Sequence, residues 1–391
     1  MQASNPQLEI DLQALCANYR AMAAAAGGAD ASAVVKCDAY GLGAAAVARA
    51  LYTHVGCRSY FVAYPEEGAA LRTVLGDGAV EIYVFNGPAP DKLELFNAHA
   101  LTPVLNSLEQ AKLWAAARPG VSAALHIDTG MHRSGIAPSE IEAAGAIDGL
   151  NISLVMSHLA CISDPAAAMN EAQRAAFTAA FAAAARHFPS ARASLSSSAG
   201  ALSGPEMSFD FVRLGVGLYG VSPFDAGEPR IAPVARLTAP VVQTRTIKAG
   251  ETVGYGATHV AARDGVLATV LLGYGDGYPR AASNRASALI GGATCPIVGR
   301  VSMDQIVLDV SVLPTPPATG EMAEFFGPGH SIDKVAADCG TIGYELLTTV
   351  GGLARPRPGL GGRVIRRYVW GDEPAPSALI GDQADDQGTV R

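Results

Sequence analysis

The feature that most constrains the fold is an alternation of short apolar runs with alanine-rich helical stretches over roughly the first 220 residues. The helical stretches include Ala44–His54, Leu108–Ala117 and Asn170–His187. A doubly wound sheet would also alternate, but eight strand–helix steps favour an α/β fold with an amino-terminal (β/α)8 TIM-type barrel. The predicted strands are Ala33–Lys36, Tyr60–Ala63, Glu81–Phe85, Thr102–Leu105, Ala123–Ile127, Ser153–Met156, Arg192–Leu195 and Phe211–Leu214.

After Arg230 the pattern changes to runs rich in Val, Ile and Thr that are separated by Gly and Pro, which predicts a mostly β carboxyl-terminal domain. We therefore expect a barrel over 1–230 and a β domain over 231–370. The polar tail, 371–391, is expected to be disordered. The predicted β segments are Ala232–Ile247, Gly265–Leu272, Pro296–Val312 and Val364–Trp370.

Composition excludes several classes of protein. The chain is 49% hydrophobic with a net charge of -8 and no run of basic residues, so we expect no nucleic-acid partner. It begins without a basic and apolar leader and has no apolar run long enough for a bilayer, so we expect neither secretion nor a membrane span. The six cysteines have no metal-ligand spacing, which predicts no metal site and a reducing, cytoplasmic setting.

A lysine at the end of a predicted barrel strand is the first candidate for chemistry. Lys36 follows the apolar Ala33–Val35, and the carboxyl ends of barrel strands form the active-site face. A lysine with a lowered pKa at that position can form a Schiff base with an aldehyde cofactor. Taken alone, a surface lysine at a strand end is the commoner interpretation.

The segment VVKCDAYGLG around Lys36 resembles the cofactor-lysine segment of the alanine racemase family. The resemblance runs from Glu9 to about Tyr368, and the family's architecture matches the predicted layout. Further segments follow in the family's order: HIDTGMHRSG, MSHLA, SLSSSAG, RLGVGLYG, VGYGA, LLGYGDGYPR, VGRVSMDQ and TIGYE.

The resemblance implies a pyridoxal 5′-phosphate (PLP) cofactor carried by Lys36. Arg213 matches the arginine that contacts the cofactor's ring nitrogen. Because arginine can only donate hydrogen bonds, that nitrogen should stay unprotonated, which suits racemisation better than transamination. His158 and Arg213 match residues that form a hydrogen-bonded chain to a tyrosine, here Tyr255. The implied phosphate contacts are Tyr40, Ser198, Gly215, Val216 and Tyr344.

Racemisation requires acid/base groups on both faces of Cα. The resemblance implies that Lys36 serves one face and Tyr255 the other, with Tyr255 supplied by the second chain of a head-to-tail homodimer. Met303 and Asp304 match substrate-binding residues from that second chain, and Tyr278 matches a tyrosine at the substrate entrance.

The chain departs from the family beside Arg133, which matches the arginine for the cofactor's phenolic oxygen and the substrate carboxylate. Many relatives carry a carbamylated lysine seven residues earlier, and here His126 occupies that position. Our hypothesis is that a bound anion or Asp128 orients Arg133 instead.

Alanine is the expected substrate, and serine or a broader range of amino acids stays open, as does a biosynthetic or catabolic role for the D-alanine chemistry. PLP-dependent decarboxylases share the barrel-plus-β layout, but they would be expected to have a carboxylate at the position of Arg213. Barrels that only bind and handle PLP lack the β domain that carries Tyr255, Met303 and Tyr344.

Overall fold

The computed structural model describes residues 5–76, 80–225, 227–353 and 363–380. Its amino-terminal part alternates strands and helices. The strands are β1 (Gln7–Asp11), β2 (Asp30–Val34), β3 (Ser59–Val62), β4 (Glu81–Val84), β5 (Thr102–Leu105), β6 (Ser122–His126), β7 (Asn151–Met156), β8 (Arg192–Ser194) and β9 (Phe211–Leu214). The helices are α1 (Leu12–Ala25), α2 (Lys36–Tyr40), α3 (Ala44–His54), α4 (Pro65–Leu75), α5 (Leu93–Ala98), α6 (Leu108–Ala117), α7 (Ile141–Gly145), α8 (Ala168–Ala185), α9 (Ser198–Ser203) and α10 (Pro205–Ser208).

Strands β2 to β9 form one parallel eight-stranded sheet in the order β8-β7-β6-β5-β4-β3-β2-β9. The two end strands meet through irregular bonds, one of which runs from the Arg213 N–H to the Ser196 carbonyl at 3.0 Å. All eight predicted barrel strands overlap these strands, so the prediction of a (β/α)8 barrel is confirmed.

Successive side chains of each barrel strand point alternately into the barrel and toward the surrounding helices. Phe61 lies inside, stacked on Tyr83 with ring centroids 4.6 Å apart, whereas its neighbours Tyr60 and Val62 belong to the core under the helices. The interior is therefore a packed core, and ligands can be accommodated only at the strand ends.

The carboxyl-terminal part is mostly β, as predicted. Its strands are β10 (Ala235–Ile247), β11 (Thr252–Val253), β12 (His259–Val260), β13 (Gly265–Val270), β14 (Ser287–Ile290), β15 (Ala293–Pro296), β16 (Ile306–Asp309), β17 (Met322–Phe326), β18 (Ile365–Trp370) and β19 (Glu373–Pro374). Its helices are α11 (Ile332–Asp338), α12 (Gly343–Leu353) and α13 (Ser377–Ile380). The predicted segment Pro296–Val312 is interrupted between β15 and β16.

At both ends of the chain the structure differs from the predicted domain boundaries. Strand β1 pairs with β10 and β18, so the first strand belongs to the sheet of the β domain and not to the barrel. The expectation of a disordered tail is wrong for 371–380, where β19 pairs with β18 and Leu379 of α13 is buried. Residues 381–391 lie outside the described residues. Among the described residues, no helix has the length and apolar character to cross a membrane.

Candidate active site

Lys36 stands two residues beyond the end of β2, at the carboxyl ends of the barrel strands. Its amine lies 5.7 Å from the centroid of the Phe85 ring. Burial lowers the pKa of the Lys36 amine, and the charge of Arg133 acts in the same direction against the opposing effects of Cys37 and Glu67. A larger neutral fraction makes this amine a better nucleophile and base than a surface lysine.

The backbone after Lys36 is left-handed. Cys37, Asp38, Ala39 and Tyr40 have φ values of 54°, 55°, 53° and 56°, so α2 is a left-handed turn. Four such residues other than glycine store about 4–8 kcal/mol of backbone strain, at about 1–2 kcal/mol each. The carboxylate of Glu67 holds the start of the turn by accepting the Cys37 N–H at 2.6 Å.

The turn places Tyr40 in a cluster of aromatic side chains. Its ring centroid lies 4.7 Å from that of Tyr219 and 6.4 Å from that of Tyr344, which lies in the first turn of α12 in the β domain. Tyr219 in turn donates its hydroxyl to the Val34 carbonyl at 2.7 Å. The structure therefore brings Lys36, Tyr40 and Tyr344 together at one end of the barrel.

Ser198 and the segment after β9 form a cradle beside Tyr40. The Ser198 hydroxyl oxygen accepts the N–H of Gly215 at 2.9 Å and that of Gly217 at 3.3 Å. A Cβ on Gly215 would lie 3.0 Å from the Tyr40 hydroxyl oxygen, so glycine keeps this space open. Val216 begins the 3-10 turn between these two glycines. Backbone N–H groups and hydroxyls in this arrangement suit a phosphate.

Arg213 of β9 is 2% exposed and bonds only to uncharged oxygens and a histidine. Its guanidinium donates to the carbonyl and hydroxyl of Ser194 at 3.0 and 2.5 Å, and to the Ser157 carbonyl at 2.5 Å. No carboxylate of the described residues forms an ion pair with it. Burial lowers the pKa of Arg213 to about 9, which leaves it cationic at neutral pH.

Two histidines near Arg213 are held neutral. Arg213 donates to Nδ1 of His158 at 3.4 Å. Burial, followed by the charges of Arg213 and Arg133, lowers the pKa of His158 to about 3. The same causes in the same order lower the pKa of His126 to about 4. The Asn106 side-chain oxygen lies 2.9 Å from Nδ1 of His126, and because that oxygen only accepts, Nδ1 carries the hydrogen.

Arg133 lies exposed on the loop after β6. The hypothesis that Asp128 orients its guanidinium is wrong. One oxygen of Asp128 accepts the N–H groups of Gly130, Met131 and His132, and the other lies 3.7 Å from Nδ1 of His132. Asp128 thus holds the backbone of the loop, and the bound-anion alternative stays a prediction.

Tyr255, Met303 and Asp304 lie elsewhere, on the surface of the β domain. Tyr255 is 72% exposed and Met303 57% exposed. The described ring contact of Lys36 is with Phe85, and no described contact joins Tyr255 to this lysine. The contacts described within one chain therefore do not join Tyr255 to the barrel site.

Tyr278 is not at an entrance. It is fully buried, its ring packs edge-on against Phe325 at 5.0 Å, and its hydroxyl is buried without a hydrogen-bond partner. Tyr274, which the sequence analysis missed, is 42% exposed, and the next residue donates its N–H to the Met303 carbonyl at 2.8 Å. The flanking glycines of Gly273–Gly275 were the available signal, because they let the Met303 backbone approach.

Models of the alanine racemase amino-terminal and carboxyl-terminal domains match residues 10–223 and 234–357. The chain belongs to the alanine racemase family. It is 44% identical over 371 residues to "Alanine racemase, catabolic" of Agrobacterium fabrum, which covers 93% of this chain and 92% of that protein. It is 43% identical over 374 residues to the alanine racemase of Methylobacterium nodulans, with 93% and 96% covered.

Solved structures of the family superpose closely on this chain. The alanine racemase of Bartonella henselae, described with covalently bound pyridoxal phosphate, has a TM-score of 0.85 at 35% identity and covers 94% of this chain and 100% of its own. The biosynthetic alanine racemase of Pseudomonas aeruginosa has a TM-score of 0.84 at 33% identity, with 94% and 99% covered. These similarities confirm the family that the motifs around Lys36 indicated.

Proposed function

We propose that this protein is a PLP-dependent alanine racemase that interconverts L-alanine and D-alanine. The observation that carries the proposal is the half-buried Lys36 amine at the barrel rim, at the same end of the barrel as a phosphate-type cradle and an arginine that has no carboxylate partner among the described residues. The names of the relatives support the substrate.

The residues around Lys36 fit the cofactor. Ser198, Tyr40, Tyr344 and the N–H groups near Gly215 would hold the phosphate, in the space that a Cβ on Gly215 would fill. Lys36 would carry the cofactor covalently, and bound PLP would make the Cα–H of the amino acid acidic.

We assign Arg213 to the ring nitrogen of the cofactor. Its pKa of about 9 keeps it a hydrogen-bond donor at neutral pH, and the neutral His158 beside it cannot supply a second charge. A nitrogen that receives a hydrogen bond from arginine stays unprotonated, which favours return of the proton to Cα. Arg133, exposed at the mouth, would bind the substrate carboxylate in a bidentate manner.

Two side chains would move the proton. The Lys36 amine would act on one face of Cα, and the hydroxyl of the partner subunit's Tyr255 on the other. Support comes from the 72% exposure of Tyr255 and from the absence of a described contact between Tyr255 and Lys36 within one chain. Tyr274, Met303 and Asp304 share this exposed region of the β domain and would enter the partner's site with it.

A racemase can serve two roles in the cell because its reaction is reversible. Racemisation runs in both directions, so the site would serve D-alanine synthesis, the role we propose, or the catabolism named for the Agrobacterium relative. A reducing, cytoplasmic setting is supported by the six cysteines, all of which are free thiols.

The activity is tested by incubating the protein and PLP with L-alanine in D2O. Loss of the Cα–H signal by proton NMR together with D-alanine by chiral chromatography is expected. Lys36→Ala and Tyr255→Phe should abolish the conversion, whereas two controls away from the site, the exposed Lys112→Ala and the half-buried Tyr52→Phe, should retain it. Exchange with serine but not alanine would change the substrate, and no exchange with any amino acid would refute the racemase.

The shared site is tested by co-expressing Lys36→Ala and Tyr255→Phe chains with different tags. If each site combines Lys36 of one chain with Tyr255 of the other, a hybrid dimer contains one intact site, and random pairing restores about a quarter of the wild-type activity. If both residues act within one chain, no hybrid site is intact and the mixture stays inactive.

A further inference from the structure

The left-handed turn after Lys36 is held by Arg366, a residue more than 320 positions later in the chain. Arg366 lies on β18, and 6% of its side chain is exposed. One of its guanidinium nitrogens lies 3.2 Å from the Asp38 carboxylate within the turn. The same nitrogen donates to the carbonyl of Gly41, which ends the turn, at 2.8 Å.

Arg366 also reaches the helix that carries Tyr344. It donates to the Gly351 carbonyl near the end of α12 at 3.0 Å. Gly41 and Gly351 are in backbone contact, and a Cβ on Gly41 would lie 2.8 Å from the Leu347 carbonyl oxygen. The guanidinium therefore bonds two segments that pack without side chains between them, the turn with Tyr40 and the helix with Tyr344.

Asp38 connects the ion pair to the following helix, α3. Its other carboxylate oxygen accepts the N–H of Ala44, the first residue of α3, at 2.8 Å. Strained backbone persists only where its surroundings determine it. Here the start of the turn is held by Glu67 and its end by Arg366 and Asp38.

We propose that Arg366, through its ion pair with Asp38 and its bonds to Gly41 and Gly351, is a positioning residue that sets Lys36, Tyr40 and Tyr344 relative to one another. In its described contacts Arg366 touches none of the side chains of Lys36, Tyr40 and Tyr344. The inference rests on the proposed function for its effect on PLP, but its effect on the turn does not depend on that function.

The test compares Arg366→Met and Arg366→Lys with Arg367→Met. Arg367 is the exposed neighbour on the same strand and bonds Gln7 at 3.0 Å, so its replacement controls for the loss of a charge from β18. Asp38→Asn is a milder variant, because the amide oxygen can still accept the Ala44 N–H.

Three measurements are made below the melting temperature of every variant. Hydrogen–deuterium exchange by mass spectrometry should be faster for the amides of 37–41 in Arg366→Met, but not in Arg367→Met. The PLP dissociation constant should rise and kcat should fall by about 10- to 100-fold, as misplacement of reacting groups by about 1 Å causes. KM for alanine should stay within about twofold, because Arg133 and the partner's Met303 do not depend on the turn.

The ion pair predicts a pattern among the variants. Asp38→Asn should act in the same direction as Arg366→Met, and the double variant should be no worse than Arg366→Met alone, because the two changes break one interaction. Arg366→Lys keeps the charge, but its shorter side chain brings the amine less close to the three acceptors, so it should recover only part of the loss.

Unchanged exchange in 37–41 together with a folded Arg366→Met protein would overturn the proposal. So would variants that lose melting temperature but keep wild-type PLP affinity and kcat. If Arg366→Met does not fold, Asp38→Asn and Arg366→Lys decide by the same criteria. A wild-type protein that neither binds PLP nor racemises alanine would refute the proposed function, and the exchange data would still decide the role of Arg366.

Discussion

Two buried neutral histidines predict a loss of stability in weak acid. The folded protein lowers the pKa of His158 to about 3 and that of His126 to about 4, from an ordinary value of 6.5. Above pH 6.5 both are neutral whether the chain is folded or not, and they cost nothing. As the pH falls below 6.5 the unfolded chain binds two protons that the folded chain rejects, and stability is lost progressively down to the folded pKa values.

The size of the stability loss follows from the difference between pH 5 and the pKa of histidine in the unfolded chain. At about pH 5 each histidine lowers the free energy of unfolding by about 2 kcal/mol, since one pKa unit corresponds to about 1.4 kcal/mol. The pair therefore costs about 4 kcal/mol. With an unfolding entropy of about 2 cal/mol/K per residue, the melting temperature should fall by about 5 °C from this source.

The assay is calorimetry of cofactor-free protein at about pH 7.5 and about pH 5. The wild type is compared with the double variant His126→Asn/His158→Asn, in which asparagine keeps a polar group near each Nδ1 position. His99→Asn, at the opposite end of the barrel, is the matched control. The acid-induced drop should be about 5 °C smaller in the double variant than in the wild type or the control. Equal drops in all three proteins would refute the reasoning that burial keeps these histidines neutral.

Three further predictions concern single side chains. Ser198→Ala removes the acceptor of two backbone N–H groups and should raise the PLP dissociation constant by about tenfold in equilibrium dialysis; an affinity equal to that of Ser203→Ala on the same helix would contradict the cradle. Tyr278→Phe removes a buried hydroxyl without a partner and should raise the unfolding free energy by about 1 kcal/mol with unchanged kcat/KM; a loss of activity would reinstate an entrance role. Tyr274→Ala should lower kcat/KM for alanine by about tenfold or more, whereas Val312→Ala, at a residue that is also exposed, should not.

The barrel was predictable because its signals are local. Each strand is a run of three to six residues, as in Asn151–Met156, bounded by polar or helical sequence. Lys36 and Ser198 were predictable because family motifs surround them. The motif LLGYGDGYPR does not distinguish an exposed tyrosine from a buried one, because Tyr274 and Tyr278 both follow a glycine. Which of them is buried depends on Phe325, a residue of a strand far along the chain.

Long-range contacts explain the other differences. Nothing in the residues Cys37, Asp38, Ala39 and Tyr40 signals positive φ, and the left-handed turn exists because Glu67 and Arg366 hold it from distant segments. The polar tail looked disordered by composition. The Gly371 N–H nevertheless donates to the Asp11 carboxylate at 3.2 Å, which ties the tail to the first strand.

The charges around the pocket indicate what it is built to bind. Lys36, Arg133 and Arg213 converge near one another, and each lowers the pKa of His158. The nearby carboxylates are directed elsewhere: Glu67 accepts the N–H of Cys37 in the turn and that of Ala63 before α4, and Asp128 accepts backbone N–H groups in its own loop. A pocket with uncompensated positive charge suits a phosphate and a carboxylate together. The two neutral histidines add polar contacts without adding repulsion among the cations, which accounts for the acid sensitivity predicted above: protonating either one would place another positive charge beside Arg213.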